Sequence, residues 1–124
     1  MAQVWALMWD IKPGSEDAVE AIFKNSGRPE HVIRDKDGEQ KGLLLGTYVL
    51  MKENTVVRVI EFEGEFMDVA VHMREQQEVA DLEKQLDEHL LESRDMTTPE
   101  GARDFFMKTS MRCVLARRHD DEGE

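Results

Sequence analysis

Cysteine occurs once in the chain of 124 residues, as Cys113, so no disulfide can form within it. Small domains that depend on disulfides for stability are typical of oxidising compartments, and this composition instead favours a reducing one. The first ten residues contain no basic stretch and reach Asp10 before an apolar segment of signal-peptide length can develop. We therefore expect a mature cytoplasmic protein.

Positive charge is scarce as well. Sixteen Lys and Arg face 27 Asp and Glu, which gives a formal net charge of −11. Such a surface repels phosphate backbones and anionic lipid, so neither nucleic acid nor a membrane is an expected partner. No apolar run approaches the roughly 20 residues of a membrane-spanning helix. The length predicts a single domain over residues 1–119 and a charged tail over residues 120–124.

The usual signatures of cofactor sites are missing. None of the eight glycines forms GxGxxG or GxxxxGK[ST], the loops that cradle dinucleotide or nucleotide phosphates. The sequence also has no cysteine pair and no His-x-x-x-His, the spacings expected of zinc or nonhaem iron ligands. We therefore predict no metal site and no bound cofactor.

Hydrophobic periodicity divides the chain into strands and helices. Four strands are predicted, over Val4–Ile11, Gly42–Met51, Val56–Glu63 and Met111–Arg117. The second and third form a hairpin, and a polar loop over residues 28–41 precedes them. Both tryptophans of the first strand lie on one face, because alternate side chains share a face.

Helices fill the intervals between these strands. The first follows Ser15, a long amphipathic helix covers residues 66–91 with a possible break at Gln76-Gln77, and Thr97 or Thr98 caps a short third helix. The order of elements matches the ferredoxin-like βαββαβ arrangement of α+β folds, in which helices cover one face of an antiparallel sheet. Because the strands are apolar on both faces, a second copy is the simplest cover, which predicts a homodimeric α+β barrel.

Two arginines lie among apolar residues of predicted strands. Arg58 follows Val57 on one strand, and Arg112 follows Met111 on another. A buried guanidinium needs a carboxylate partner or an anionic ligand. One interpretation is a structural ion pair with Glu61 or Glu63, and the other is a pocket that binds phenolate or carboxylate groups.

Large flat side chains on the predicted strands could line a cavity for an aromatic ligand. These are Trp5, Trp9, Tyr48 and Phe62. Packing in the core or in a dimer interface is the alternative for each of them.

Two histidines are candidate proton carriers. His72 lies near the apolar face of the long predicted helix, and His31 follows Pro29 in the polar loop, where it could close over a ligand. Ordinary surface positions are the alternative for both.

Four segments resemble those of the SchA/CurD-like proteins from bacterial gene clusters for aromatic (type II) polyketides, notably spore-pigment and pentangular polyphenol pathways. The segments are Met8–Glu16, Val56–Gly64, Arg94–Ala102 and Met111–Asp120. They occur in the expected order, and the resemblance spans about the whole chain.

The resemblance implies a protein that works beside polyketide cyclases on a polycyclic aromatic intermediate. Our first hypothesis is a cofactor-independent anthrone-type oxygenase that forms a quinone or a hydroxylated ring. Arg58 and Arg112 would then stabilise a phenolate or enolate, and His72 or His31 would move a proton. The alternatives are a cyclase that closes a ring of a poly-β-ketone, and a noncatalytic accessory protein of the cyclase complex.

Overall fold

Five strands pair into one antiparallel sheet in a computed structural model, which describes residues 2–119. The strands are β1 (Ala2–Asp10), β2 (Val32–Arg34), β3 (Gln40–Lys52), β4 (Thr55–Gly64) and β5 (Ser110–Met111). The helices are α1 (Glu16–Lys24), α2 (Phe66–Glu75), α3 (Gln77–Asp87) and α4 (Pro99–Thr109). The spatial order of the strands is β2-β3-β4-β1-β5. This α+β architecture is compatible with the predicted ferredoxin-like fold.

The register of the central strands decides which side chains meet the helices. β4 pairs with β1 so that Trp5 lies opposite Ile60 and Leu7 lies opposite Arg58. Paired residues share a face, and this face is covered by the helices. Trp5 and Trp9 both pack into the core from β1, which confirms the prediction that they share a face.

The core consists of two adjoining clusters between the sheet and the helices. The first joins β1 and β4 to α1, α3 and α4, and its members are Leu7, Trp9, Ile11, Val19, Val56, Leu82, Leu86, Leu90 and Phe105. The second joins the sheet to α2 and the start of α3, and its members are Ile33, Leu44, Ile60, Phe62, Val69, Met73 and Val79. Trp5 packs against both clusters, so it connects the two halves of the core.

The other face of the sheet, here called the open face, carries exposed apolar side chains. They come from β1, β3 and β5 and include Val4, Met8, Tyr48, Leu50 and Met111. The prediction that one chain leaves an apolar sheet face uncovered is confirmed.

The long predicted helix is interrupted at Gln76, which separates α2 from α3 and confirms the expected break. Gln76 has extended backbone angles, with φ −80° and ψ 129°. Its side-chain Oε1 accepts a hydrogen bond from the Glu30 backbone N–H at 3.2 Å. The break is therefore fixed to the segment that precedes β2.

Two predicted boundaries were wrong. The polar loop over residues 28–41 contains the short strand β2, and the start of β3 also falls within it. The predicted strand Met111–Arg117 is only Ser110–Met111, which pairs with Leu7 and Ala6 of β1, and residues 112–118 are exposed. Strand propensity forms a strand only where a partner strand is engaged. Arg118 instead donates a hydrogen bond to Glu61 on the open face, so the segment leaves the edge of β1.

The end of the chain adds two smaller findings. Thr98 caps α4, since its Oγ1 accepts a hydrogen bond from the Gly101 N–H at 3.0 Å. The predicted charged tail over residues 120–124 lies outside the described residues. No helix within residues 2–119 has the length and apolar character needed to cross a bilayer.

Candidate functional site

A largely apolar cavity, here called the main cavity, lies between the sheet and helices α2, α3 and α4. Its volume is about 580 Å³. The apolar part of its lining comes from all four elements and includes Trp5, Ile60, Met73, Val79, Met96 and Phe106. The charged part of its lining consists of Arg58, Arg74, Glu83, Lys84 and Asp87.

Trp5 forms a fixed aromatic wall of this cavity. Its ring packs edge-on against Phe66 at 4.3 Å and against Phe106 at 5.3 Å between ring centroids. Its indole N–H donates to Ser110 Oγ at 3.1 Å, which satisfies the polar end of the side chain. The aromatic contacts and the hydrogen bond together hold the indole in one orientation.

Arg58 is the charged group that the sheet places in this cavity. Its Nη1 donates to Glu83 Oε1 at 3.1 Å, and 11% of the side chain is exposed. A guanidinium has five N–H donors. Within residues 2–119 the Nε and Nη2 atoms of Arg58 have no hydrogen-bond partner, yet neither is sealed from solvent-sized molecules. Arg58 therefore has spare donors for a ligand.

Arg94 holds the other side of the Glu83 carboxylate. Its Nη2 lies 2.5 Å from Glu83 Oε2, and its Nε donates to Asp87 Oδ1 at 2.9 Å. Only 5% of the Arg94 side chain is exposed. Arg58, Glu83, Arg94 and Asp87 thus form a network of two cations and two carboxylates with no net charge, here called the charge network.

Glu83 replaces the partners that the sequence suggested for Arg58. Glu61 is directed to the open face, where its carboxylate contacts Tyr48 and Arg118. Glu63 is two residues further along the same strand and is exposed. Arg58 therefore has a carboxylate partner within the chain, as the first interpretation required, but that partner is Glu83 of α3, because alternate residues of β4 point away from Arg58.

Tyr48 and Arg112 lie outside the main cavity. Tyr48 is 51% exposed on the open face, and its hydroxyl donates to Glu61 Oε1 at 3.0 Å. This hydrogen bond, followed by the negative charge of Glu61, raises the pKa of Tyr48, and Arg118 acts weakly in the opposite direction. Arg112 is exposed in the segment that follows β5.

Neither candidate histidine lines the main cavity. His72 is buried on α2, with its Nε2 2.6 Å from the backbone carbonyl oxygen of Glu30. A carbonyl oxygen only accepts hydrogen bonds, so Nε2 carries the proton. This hydrogen bond connects α2 to the segment before β2. His31 is exposed in that segment.

Trp9 and Phe62 occupy other parts of the core. Trp9 lines a separate cavity of about 490 Å³ between β1, α4 and residues 90–95. Phe62 is fully buried, and its ring lies 6.4 Å from that of Phe66. Of the eight predicted site residues, the structure therefore brings Arg58 and Trp5 together in the main cavity.

Sequence reasoning missed Glu83, Asp87 and Arg94. Glu83 and Asp87 are four residues apart in a helix rich in charged residues, where a carboxylate that faces inward has the same local pattern as one that faces solvent. Arg94 lies in one of the segments that carry the family resemblance, and that was the available signal for it.

Comparison with curated proteins gives three relatives from Streptomyces. The chain is 36% identical to "Polyketide synthase CurD" of Streptomyces cyaneus over 88% of its length. It is 31% identical to the "42.8 kDa protein in whiE locus" of Streptomyces coelicolor over 95%, and 32% identical to "Protein SchA" of Streptomyces halstedii over 88%. The matched regions span 28%, 28% and 27% of these relatives, so the chain corresponds to little more than a quarter of each.

No solved structure matches the chain. The sequence profile described as "SchA/CurD like domain" matches residues 2–118, which is nearly the entire chain. Together with the three relatives, this match shows that the chain belongs to the SchA/CurD-like family.

Proposed function

We propose that the chain acts in aromatic polyketide biosynthesis, as a cofactor-independent oxygenase that works alongside cyclases and converts an anthrone-type ring into a quinone. The pathway is supported by the family and by the name of the relative that is called a polyketide synthase. The observation that carries the reaction is the position of Arg58, whose spare N–H donors border an apolar cavity.

The main cavity suits a flat polycyclic ligand in size and character. Its volume of about 580 Å³ falls within the range of about 300–1,000 Å³ of typical small-molecule sites. Trp5 and Phe106 provide aromatic surfaces, and Met73 and Met96 provide flexible apolar ones. Such walls stabilise fused rings by apolar burial and leave orientation to a few polar groups.

The first chemical step is removal of a proton from the ring carbon next to the aromatic system. Glu83 accepts this proton, and the electron pair delocalises onto the ring oxygen as a phenolate or enolate. The negative charge thus moves from Glu83 to the substrate while Arg58 stays beside both, so the total charge in the cavity is unchanged. Charge-assisted hydrogen bonds from Arg58 stabilise the anion.

The electron-rich anion then reacts with dioxygen. The ring carbon forms a C–O bond to O₂, and the peroxide anion takes back the proton held by Glu83 to give a hydroperoxide. Cleavage of the O–O bond with loss of the remaining hydrogen of that carbon then releases water and leaves a carbonyl group. In balance, one CH₂ group and one O₂ become one C=O group and one H₂O. The substrate supplies all four electrons, so the reaction needs no external reductant.

Oxygen uptake with anthrone, combined with the product mass, tests this proposal. The wild-type protein should accelerate uptake and give a product with one additional oxygen and two fewer hydrogens. Arg58→Ala and Glu83→Gln should each lower the rate about 100-fold or more, as expected when a group that stabilises the transition state is lost. Arg103→Ala, an exposed arginine on α4, should leave the rate unchanged. Uptake equal to that without protein would refute the proposal.

A cyclase is the second candidate, because the spare donors of Arg58 could equally polarise a ketone during aldol closure. Cyclisation consumes no oxygen, so product mass separates it from oxygenation.

A noncatalytic accessory role is the third candidate. It is favoured by the neutral charge network, in which every charge has a partner. Substitution of Arg58 would then leave the products of a reconstituted pathway unchanged.

We further propose that two copies pack through their open faces. This face presents side-by-side apolar residues, and exposed Val114 and Leu115 follow it in the chain. Sedimentation analysis should give a dimer for the wild-type protein and a monomer for Met8→Asp, which places a charge on the open face. The control Met107→Asp, at an exposed apolar position on α4, should remain dimeric. A monomeric wild-type protein would refute the proposal.

A further inference from the structure

A smaller cavity lies on the other side of Arg58, with a volume of about 280 Å³. Arg58 and Val79 line both this cavity and the main cavity. The Arg58 side chain, which carries the proposed function, therefore borders both spaces. A ligand whose rings occupy the main cavity would reach the smaller one past Arg58.

The smaller cavity has a different chemical character. Its polar lining comes from Ser26 and Arg28 after α1, Thr47 on β3 and Glu78 in the first turn of α3. Oε2 of Glu78 is buried and has no hydrogen-bond partner within residues 2–119. That oxygen is sealed from solvent-sized molecules, but Oε1 of the same carboxylate also has no hydrogen-bond partner among the described residues and is not sealed, so it can accept a hydrogen bond from an O–H group in the cavity.

The charges at this junction are balanced. Arg58 is paired with Glu83, and the positive charge of Arg28 is matched in number by the negative charge of Glu78. A carboxylate placed here would add one uncompensated charge to a confined space, which is unfavourable. A hydroxyl group adds no charge, donates one hydrogen bond and can accept another from an arginine.

We propose that the smaller cavity is a subsite for a short, uncharged side arm of the polycyclic ligand that carries a hydroxyl group. Arg58 donates a hydrogen bond to the hydroxyl oxygen, and Glu78 accepts a hydrogen bond from the hydroxyl O–H. This inference rests on the proposed function, because it requires a ring system in the main cavity. It restricts the substrate class to ring systems that carry an oxygenated arm at one end.

Binding of three anthraquinones tests the subsite without any measurement of activity. The probes are 2-methylanthraquinone, 2-(hydroxymethyl)anthraquinone and anthraquinone-2-carboxylate, and the readout is Kd from calorimetry. The hydroxymethyl compound should bind about fivefold more tightly than the methyl compound, in keeping with one additional net hydrogen bond. The carboxylate should bind more weakly than the hydroxymethyl compound.

Glu78→Gln should reverse part of this preference, because it removes the negative charge while preserving the size of the side chain. The hydroxymethyl advantage should shrink, and the carboxylate should bind several-fold more tightly than it does to the wild-type protein. Glu100→Gln is the matched control, since Glu100 is also an acidic residue in the first turn of a helix but is exposed and lies outside both cavities.

The outcomes separate the two proposals. If no anthraquinone binds, the ring-binding cavity itself fails, and with it the proposed function. If all three bind with equal affinity, the main cavity stands and the subsite is refuted. A carboxylate that binds the wild-type protein most tightly would also refute the subsite as proposed, because it would show a site for anions.

Discussion

The guanidinium carbon of Arg94 lies 4.3 Å from the centre of the Phe105 ring. The same guanidinium contacts Glu83 and Asp87, so one side chain joins α3, α4 and the segment between them. Stacking of a cation on an aromatic face strengthens as both groups are desolvated, and only 5% of this arginine side chain is exposed. Arg94 therefore fixes the wall of the main cavity that carries Glu83.

Arg94→Met should lower the free energy of unfolding by about 3 kcal/mol, because it leaves Glu83 with one cationic partner in a largely buried position. Urea unfolding measures the change. The control Arg103→Ala, an exposed arginine on α4, should change stability by less than about 0.5 kcal/mol. A loss below about 1 kcal/mol for Arg94→Met would mean that the charge network contributes little to the fold.

His72 is expected to act in stability rather than in proton transfer. His72→Phe keeps an aromatic ring but removes the N–H that donates to the Glu30 carbonyl, at an expected cost of about 1 kcal/mol. His31→Ala should have almost no effect on stability, since His31 is exposed. Oxygen uptake by folded His72→Phe should stay within about twofold of the wild-type rate, because His72 lies outside the main cavity. Complete loss of uptake in a folded variant would instead assign His72 a catalytic role.

Gly101 is tightly enclosed in the first turns of α4. A Cβ at this position would lie 1.8 Å from the carbonyl oxygen of Asp95, which is backbone and cannot rotate away. Gly101→Ala should therefore destabilise the protein by more than about 2 kcal/mol in thermal unfolding, although alanine favours helix by about 1 kcal/mol. Thr98→Ala, which removes only the cap, should cost about 1 kcal/mol. An unchanged melting temperature for Gly101→Ala would contradict the observed packing of residues 95–98.

Short-range sequence patterns predicted the features of the fold that depend on neighbouring residues, namely the faces of the strands and the positions of the helices. Alternation placed Trp5 and Trp9 on one face, and helical spacing with a weak point at Gln76 gave α2 and α3. The ferredoxin-like interpretation followed from the order of these elements. The missing information was long-range, as the C-terminal segment shows, because its sequence favours a strand but its position depends on Arg118 and Glu61.

The site was harder to predict than the fold. Strand parity gave the face on which Arg58 lies, but Glu83 is 25 residues away and reaches it only through the packing of α3 on the sheet. Tyr48 follows a register shift between Leu44 and Gly46 in β3, and such a bulge alters the alternation that parity relies on. Both cases depend on three-dimensional placement that no short sequence window contains.

Tyr48 offers a direct probe of the open face, because it is the single tyrosine of the chain. Its hydrogen bond to Glu61 and the negative charge of Glu61 raise its pKa above the ordinary value of about 10. A raised pKa in the folded state favours the protonated form there. The associated stabilisation is therefore complete below the pKa of the unfolded chain and is lost as the pH rises through the pKa of the folded protein.

Titration of tyrosinate absorbance measures this pKa, and Glu61→Gln should lower it toward the ordinary value. Glu63→Gln, two residues away on the same face, is the matched control and should have a smaller effect. If two copies pack through their open faces, Tyr48 must lose its proton in a less hydrated environment, which raises the pKa further. The wild-type pKa should then increase with protein concentration, whereas Met8→Asp should show no such dependence. A pKa independent of concentration in both proteins would argue against the open face as the dimer interface.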